Sequence, residues 1–440
     1  MLYCSIEANA ITHGVGLRAG EKRSQWERVV ASMREMHERG FKFDAIMHNT
    51  AISACEACER WERASSFLEQ MAERGLESDT VTVSAMVSAY EKGGRWKDAL
   101  SLLKEMRGYG LRPNLITYNA ATSSCEKGQR WEHALALLQE LGRLTFKPNV
   151  ITHNAAISAC EKGLQVRQAL VLFFDMQRRN LRPNTITFNA VVSACEKNQQ
   201  WEQALHLLAE MPIRQVQPDS TTYGAAVSAC DKGRQWEVAE HLLVQMRGRG
   251  LQLHAIACNA AVGAHASSEQ WEGALDLVQE MRSAPLPVGT IACSRSISAC
   301  ERACEWERAL ALMRHAQLKG ISTDVIAINA LISACEKGGR WARALCLFMV
   351  MYRTRLHPDV ATFGIVLNAC ESGRRWELGI ALLQRVQSTG YVLDMTMYRA
   401  VVGACMRGER CEEASCVLSG MRQRALQLFE QTWWSSPFSR

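Results

Sequence analysis

Three features of this sequence predict an all-α fold, a right-handed α-solenoid superhelix of twelve helix-turn-helix repeats. One 35-residue pattern recurs without a gap from residue 10 to residue 429. Within each copy, two groups of apolar residues follow the i, i+3, i+4, i+7 spacing of one helical face. Each helix has only that one apolar stripe, so a hairpin needs copies on both sides to bury it. The repeats begin at residues 10, 45, 80, 115, 150, 185, 220, 255, 290, 325, 360 and 395.

Residues 325–359 represent the pattern well and define positions 1 to 35 of the repeat. The first helix has apolar residues at positions 4, 7, 8 and 11, and the second has them at positions 17, 20, 21, 24 and 27. Gly338 and Gly339 lie between the helices, where both can adopt the left-handed conformation that ends a helix. Pro358 and Asp359 then end the second helix and start the next unit.

Two other positions recur on the apolar stripes. Position 17 opens the second helix, so we expect its side chain to pack in the core rather than stack on a ligand. Position 11 is usually a cysteine, which suits a small buried hydrophobe and indicates a reducing compartment. The tryptophans at position 17 are Trp26, Trp61, Trp96, Trp131, Trp201, Trp236, Trp271, Trp306, Trp341 and Trp376. The cysteines at position 11 are Cys55, Cys125, Cys160, Cys195, Cys230, Cys300, Cys335, Cys370 and Cys405.

Composition and motifs exclude several classes of function. No apolar run approaches the ~20 residues of a membrane span, so we expect no membrane association. A net charge of +6 over 440 residues is too small by itself to identify a nucleic-acid binder. Cys55 and Cys58 form a C-x-x-C pair without the second pair of ligands that zinc requires. No Ser/His/Asp or His/Glu cluster has catalytic spacing, so we expect no enzyme, no metal and no cofactor.

Short segments flank the repeats. Residues 1–9 match positions 27 to 35, so we expect a partial hairpin whose first helix lies upstream of Met1. Residues 430–440 form a C-terminal tail after the twelfth repeat.

The repeat also carries a family signature. Tyr118-Asn119 and Phe188-Asn189 occupy positions 4 and 5, a glycine follows the first helix, and Pro-Asp or Pro-Asn closes the unit. On these residues and the 35-residue period, the chain resembles the pentatricopeptide-repeat proteins over essentially its whole length. The resemblance implies sequence-specific binding of single-stranded RNA, with one repeat for each base. It also implies a role in RNA processing, stability or translation in a mitochondrion or plastid, with the cytoplasm as the alternative.

In this family, positions 5 and 35 read the base. A carboxylate at position 35 can accept the ring N–H of uracil or guanine, whereas an amide can donate to the bare ring nitrogen of cytosine or adenine. In the family, Asn at position 5 accompanies pyrimidines and Ser accompanies purines. This scheme predicts U for repeat 2, A for repeat 3, C or U for repeats 4 and 5, and U for repeats 6 and 10. The expected base-reading residues are Asn49, Asp79, Ser84, Asn114, Asn119, Asn149, Asn154, Asn184, Asn189, Asp219, Asn259, Ser294, Asp324, Asn329, Asp359 and Asp394. Helix capping is the competing interpretation of position 35.

Two further positions complete the expected interface. The family sandwiches each base between position-2 side chains of adjacent repeats, although ordinary packing explains this position equally well. These residues are Ile46, Val81, Ile116, Ile151, Ile186, Ile256, Ile291 and Ile326. The basic residues at position 13 fit a phosphate track, or a favourable cation at each helix C-terminus. They are Lys92, Lys127, Lys162, Lys197, Lys232, Arg302, Lys337 and Arg407. An acid beside most of them, at position 12, suggests pairing between repeats.

Some repeats depart from the scheme, and other functions stay open. Repeat 7 has Gly224 and His254, and repeat 12 has Arg399 and Phe429, so we expect neither to read a base. One alternative function is a protein-binding scaffold built on the same superhelix. The other is the RNA-binding arm of a proteinaceous RNase P that lacks its nuclease domain. For the function that we favour, we expect a monomer whose partner is single-stranded RNA, with protein partners in addition.

Overall fold

The computed structural model describes residues 45–144, 146–283, 289–318, 324–354, 356–388 and 394–434. Within these residues all secondary structure is α-helical, in 22 helices that pair into hairpins, so the predicted all-α repeat fold is confirmed. The helices are α1 (Ala45–Ala57), α2 (Trp61–Glu73), α3 (Thr80–Lys92), α4 (Trp96–Gly108), α5 (Leu115–Lys127), α6 (Trp131–Arg143), α7 (Val150–Lys162), α8 (Val166–Arg178), α9 (Thr185–Lys197), α10 (Trp201–Ile213), α11 (Ser220–Lys232), α12 (Trp236–Gly248), α13 (Ala255–Ser267), α14 (Trp271–Ser283), α15 (Thr290–Arg302), α16 (Trp306–Leu318), α17 (Val325–Lys337), α18 (Trp341–Arg353), α19 (Val360–Ser372), α20 (Trp376–Ser388), α21 (Met395–Arg407) and α22 (Cys411–Trp434). The expected partial hairpin at residues 1–9 and the first repeat lie outside the described residues.

Helix boundaries repeat with the same period as the sequence. Every helix except α22 has 13 residues, starting at position 1 or position 17 of its repeat. The last helix, α22, continues to Trp434 without a break where the predicted tail begins. None of the helices in the described residues is long and apolar enough to cross a lipid bilayer.

Internal contacts divide the chain into two units, Met1–Ala229 and Cys230–Arg440. In the first unit, α5 packs against the first helices α3 and α7 and against the second helices α4 and α6. In the second unit, α17 packs in the same way against α15, α19, α16 and α18. A first helix is therefore covered on three sides. Its buried surface is wider than the predicted stripe, since Ala327 and Ala334 are buried together with positions 4, 7, 8 and 11.

The turn within each hairpin from repeat 2 to repeat 12 is a Schellman motif. Arg340 N–H donates to the Cys335 carbonyl, and Gly339 N–H donates to the Glu336 carbonyl. Gly339 has the left-handed φ of +68°, as expected, but Gly338 has a φ of −77°. The expectation that Gly338 also adopts a left-handed backbone was therefore wrong. Of positions 14 and 15, only position 15 takes this conformation in the described repeats, and in most of them it does so with non-glycine residues. These are Glu59, Gln129, Leu164, Gln199, Arg234, Glu269, Cys304, Arg374 and Glu409.

Glycine at position 14 has a different cause, which is packing between repeats. A Cβ atom on Gly338 would overlap the indole of Trp306, the position-17 tryptophan of the preceding repeat. The same overlap would occur between Gly373 and Trp341. The indole of Trp306 also contacts the guanidinium of Arg340, which lies 5.1 Å from the ring centroid. The position-17 tryptophan thus joins neighbouring repeats, as its expected packing role requires.

Two described repeats lack this tryptophan, repeat 5 and repeat 12, which has Cys411 at position 17, and the repeat that follows repeat 5 lacks the glycine. Repeat 5 has Val166 at position 17, and repeat 6 has Asn198 at position 14. Ser268 and Ala303 occupy position 14 after Trp236 and Trp271, so small side chains are tolerated there. Among the position-14 residues from Gly93 to Gly408, Asn198 is the largest. It follows the repeat in which valine replaces the tryptophan.

The position-11 cysteines are buried on the first helices, as expected. Burial raises the pKa of the thiols of Cys125, Cys160 and Cys230 to about 12. A thiol with such a pKa stays protonated and unreactive near neutral pH. In the described residues these cysteines are free and serve as small core side chains.

Candidate RNA interface

The two expected base-reading residues of one repeat lie side by side. The Asn329 side-chain amide donates to Asp359 Oδ1 at 3.2 Å, and Asn154 donates to Asn184 Oδ1 at the same distance. Asn189 donates to both carboxylate oxygens of Asp219 at 3.3 Å. None of these side chains is buried. The fold therefore brings position 5 near the start of one helix together with position 35 at the end of the same repeat.

The side chain at position 35 also caps the next first helix. Asp359 Oδ1 accepts the backbone N–H of Thr362 at 2.8 Å, and Asn184 Oδ1 accepts that of Thr187 at 3.0 Å. An N-cap satisfies one of the free N–H groups of the first turn. Capping occupies Oδ1 and leaves the second atom of the side chain available. In Asp359 that atom is a carboxylate oxygen, an acceptor, and in Asn184 it is the amide nitrogen, a donor.

A buried threonine that sequence reasoning did not single out connects the two residues. Thr362 occupies position 3 of the following repeat, and its hydroxyl lies 2.7 Å from Asn329 Oδ1 and 2.7 Å from Asp359 Oδ1. The same residue type recurs at position 3 as Thr82, Thr117, Thr152, Thr187, Thr222 and Thr362, and all of these are buried. The sequence signal was the recurrence itself, a polar residue at a fixed position next to the capping residue.

These hydrogen bonds change the acidity of the capping carboxylates. Burial raises the pKa of Asp359, but hydrogen bonds from the Thr362 side chain and backbone and from Asn329 outweigh it, so the pKa lies below 3.8. The pKa of Asp219 and that of Asp79 are lowered through the equivalent contacts, again against the effect of burial. The three carboxylates are therefore ionised acceptors near neutral pH.

Irregular repeats lack parts of this arrangement. Asn259 in repeat 8 is followed by Gly289 at position 35 and Ala292 at the next position 3, and its Oδ1 atom is buried with no hydrogen-bond partner in the described residues. Ser294 in repeat 9 donates directly to Asp324 Oδ1 at 2.9 Å. His254 caps α13 through Nδ1, which accepts the N–H of Ala257.

Aliphatic side chains at position 2 are exposed beside the paired residues. The eight predicted residues expose between 57% and 69% of their surface, so packing within the chain does not account for them. Position 2 of one repeat also contacts position 5 of the previous one, because Asn189 donates to Thr221 Oγ1 at 2.8 Å. An exposed aliphatic row next to polar pairs can cover the faces of planar apolar groups.

Most position-13 cations pair with the acid at position 12 of the preceding repeat. Lys162 contacts Glu126 at 2.9 Å, and Lys197 contacts Glu161 at the same distance. The same acid also accepts a hydrogen bond from a serine at position 9 of the following repeat. Ser158, for example, donates to Glu126. Arg302 instead donates to the Ala266 carbonyl at 2.7 Å, because repeat 8 has no acid at position 12. These cations remain partly exposed, so a phosphate would compete with a carboxylate for them.

The arrangement defines a helical-repeat protein in which each regular repeat presents one polar pair, formed by position 5 of its first helix and position 35 at its end. Comparison with known families agrees with this class. The family described as "PPR repeat family" matches residues 78–125, 148–197, 183–232 and 323–371, and "PPR repeat" matches residues 46–76 and 256–286. Together the matches span more than half of the chain. The chain therefore belongs to the pentatricopeptide-repeat family.

Solved structures show the same fold. The crystal structure of the pentatricopeptide repeat protein PPR10 from maize is 19% identical, with a TM-score of 0.52, over 96% of this chain and 75% of that chain. The structure of PPR10 in complex with an 18-nucleotide psaJ RNA element is 17% identical, with a TM-score of 0.51, over 95% of this chain and 74% of that chain. At these identities the likeness concerns the fold alone. No curated protein matches the sequence.

Proposed function

We propose that this protein binds single-stranded RNA in a sequence-specific manner, with each regular repeat reading one base. One observation carries the proposal: the residues at positions 5 and 35 form an accessible hydrogen-bonded pair, as in Asn329 and Asp359. Family membership supports it, as does the RNA element bound in the PPR10 complex.

In repeats 5 and 10, the position-35 atom that capping leaves free matches one edge of a base. In repeat 10, Asp359 Oδ2 is the free acceptor, and it suits the ring N–H of uracil. In repeat 5, capping leaves the Asn184 amide nitrogen free, and this donor suits the bare ring nitrogen of cytosine. Position 35 thus caps the helix and reads the base with different atoms. The two interpretations that the sequence left open are compatible.

Position-2 and position-13 residues complete the proposed complex. Ile326 lies at position 2 of repeat 10 and Ala361 at the same position of repeat 11, so they would cover the two faces of the base that repeat 10 reads. The cations at position 13 would contact phosphates once their carboxylate partners release them. Because those acids remain nearby, the electrostatic contribution to binding should be smaller than the number of cations suggests.

Family membership also suggests where the protein acts. We place it in a mitochondrion or plastid, as a monomer that acts in RNA processing, stability or translation through RNA occupancy rather than through catalysis. None of the described side chains forms a cluster of three or more metal-binding groups. Expression of the native gene product with a fluorescent tag at its C-terminus would test the compartment.

Selection from a pool of randomised RNA by the purified chain tests the proposed function. We expect the enriched sequences to contain U, A, then two pyrimidines, then U, in the 5′ to 3′ order of repeats 2 to 6. A protein with Asn149 exchanged for Asp serves as the matched control, and it should shift only the base of repeat 4 towards U. Enrichment without a common sequence, or release of RNA by peptides instead of competing RNA, would contradict the proposal and favour a protein-binding scaffold.

A further inference from the structure

Threonine at position 3 forms contacts that its helical location does not require. Thr362 is fully buried in the first turn of α19, and its backbone N–H already bonds to the capping residue Asp359. Its hydroxyl nevertheless contacts Asn329 of the preceding repeat, 33 residues away, at 2.7 Å. Thr152 contacts Asn119 in the same way at 2.6 Å, and Thr187 contacts Asn154 at 2.6 Å. A residue of one repeat therefore touches the reading residue of another.

The contact fixes the orientation of the asparagine amide. The Thr362 hydroxyl lies near two acceptor oxygens, one on Asn329 and one on Asp359, and its single proton can go to either. The amide oxygen of Asn329 points towards this hydroxyl, so the amide nitrogen points towards Asp359. Rotation of the amide by 180° would exchange donor and acceptor. The surface presented to a base would then have the opposite hydrogen-bonding pattern.

The distribution of threonine along the chain follows the completeness of the pairs. Threonine at position 3 follows each pair in repeats 2 to 6 and in repeat 10. Alanine or methionine follows repeats 7, 8, 9 and 11, of which repeats 7, 8 and 11 have glycine at position 5 or position 35. In repeat 9, Ser294 reaches Asp324 without help, whereas Ser84 in repeat 3 contacts Thr117 at 2.7 Å. Asn259, which lacks the threonine, has an unpartnered amide oxygen.

We propose that the threonine at position 3 is a specificity-determining positioning residue for the base read by the preceding repeat. The reading unit is then a triad that spans two repeats, made in repeat 10 by Asn329, Asp359 and Thr362. This inference rests on the proposed function, because it concerns how the same site discriminates between bases. It implies that a repeat loses its selectivity between bases when it is moved to another place in the chain where the following repeat has no threonine at position 3.

Binding of paired RNAs by the full chain tests the inference. The two RNAs differ only by U or C at the base of repeat 10. The variant Thr362→Val keeps the bond from its backbone N–H to Asp359 and the side-chain volume, but it removes the hydroxyl, which also accepts the Asp359 backbone N–H at 3.2 Å. Loss of the hydrogen bond to Asn329 should reduce the U-to-C affinity ratio by roughly 5-fold. Thr362→Ser keeps the hydroxyl and should retain the ratio of the wild type. An unchanged ratio in Thr362→Val would overturn the inference.

A matched control separates positioning from stability. Thr122 is also buried, and its hydroxyl bonds only within its own helix, to the Tyr118 carbonyl at 2.8 Å. Thr122→Val should therefore leave the ratio at repeat 10 unchanged. The proposed function fails if the wild type itself shows no U-to-C preference. The inference alone fails if the wild type shows the preference and Thr362→Val shows it equally.

A gain of selectivity provides a second test that does not depend on loss of structure. The variant Ala292→Thr places a hydroxyl where it can contact Asn259 Oδ1, as threonine contacts the asparagine Oδ1 at the equivalent position of five other repeats. We expect this variant to prefer pyrimidine over purine at the base of repeat 8 by several-fold more than the wild type does. Equal preference in the two proteins, with unchanged thermal stability, would count against the triad.

Discussion

Asn329 and Asp359 are 30 residues apart in sequence, yet the amide of the first donates to the carboxylate of the second at 3.2 Å. The separation of 30 residues follows from the hairpin, because the chain passes through both helices of the repeat before it returns to the same edge of the solenoid. Asp359 also caps α19, so the atom that faces outward is determined by the atom that the helix uses. The helix cap and the proposed recognition surface thus share one side chain.

Packing of the tryptophan against position 14 predicts a loss of stability when a large side chain is placed there. Gly338→Leu should lower the free energy of unfolding by about 1–3 kcal/mol, because a leucine, unlike the smaller Ser268 and Ala303 at the same position of other repeats, overlaps the Trp306 indole. Denaturant unfolding followed by circular dichroism measures the change. Gly248→Leu is the matched control, since Gly248 also lies at a helix end and a Cβ there meets no atom within 4 Å. Equal stability of the two variants would contradict the packing explanation.

The exceptional repeat predicts a compensating pair. Val166→Trp should destabilise the protein, because the residue opposite is Asn198 instead of glycine. The double variant Val166→Trp with Asn198→Gly restores the arrangement of the other repeats and should recover stability, with a coupling free energy of at least ~0.5 kcal/mol. Unfolding of the four proteins of this cycle provides the measurement. Additive effects would mean that the two positions do not share a packing site.

Pairing of the position-13 cations predicts how salt affects RNA binding. Glu126→Gln removes the charge that holds Lys162 and should let this lysine contact a phosphate. The plot of log affinity against log salt should then become steeper by about 0.7, the value for one phosphate of a single strand. Glu132→Gln changes the net charge equally but lies on the exposed start of α6. If both variants change the slope alike, the effect reflects overall charge instead of a released lysine.

The lowered pKa of Asp359 predicts a pH dependence of stability. Its pKa in the folded protein lies below the unperturbed value of 3.8, so ionised Asp359 contributes stability that is present above 3.8 and is lost as pH falls through the folded value. We expect the wild type to lose stability relative to Asp359→Asn as the pH is lowered below 3.8, and to show a constant difference above it. Urea unfolding of both proteins across this range provides the comparison. A difference that already changes near neutral pH would contradict the assignment.

Most of the fold followed from periodicity. The apolar spacing gave helix positions that the structure reproduces, because one stripe per helix allows only stacked hairpins. The sequence could not distinguish the roles of Gly338 and Gly339, since one avoids a clash with an indole 32 residues earlier and the other needs a left-handed backbone. It also could not show that α17 is covered on three sides, because small residues such as Ala334 do not mark a stripe.

The candidate site was only partly predictable. Positions 5 and 35 were identified through the family resemblance. The hydrogen bond between them could not be predicted from the sequence and is seen only in the structure. The role of Thr362 was missed because its hydroxyl acts on the preceding repeat, which a pattern within one repeat does not reveal. The pairing of Lys162 with Glu126 also crosses a repeat boundary. Sequence reasoning treated each repeat as a unit, whereas these contacts lie between units.

Exchange of Asp359 for Asn tests the central claim most directly. Asn caps the same helix position in repeats 3 to 5, so the variant should fold like the wild type while the outward atom changes from acceptor to donor. Affinities of both proteins are measured for two RNAs that carry U or C at the base of repeat 10. We predict that the wild type prefers U and that Asp359→Asn prefers C, each by roughly 1–3 kcal/mol. If the two proteins show the same preference, or none, position 35 does not read the base.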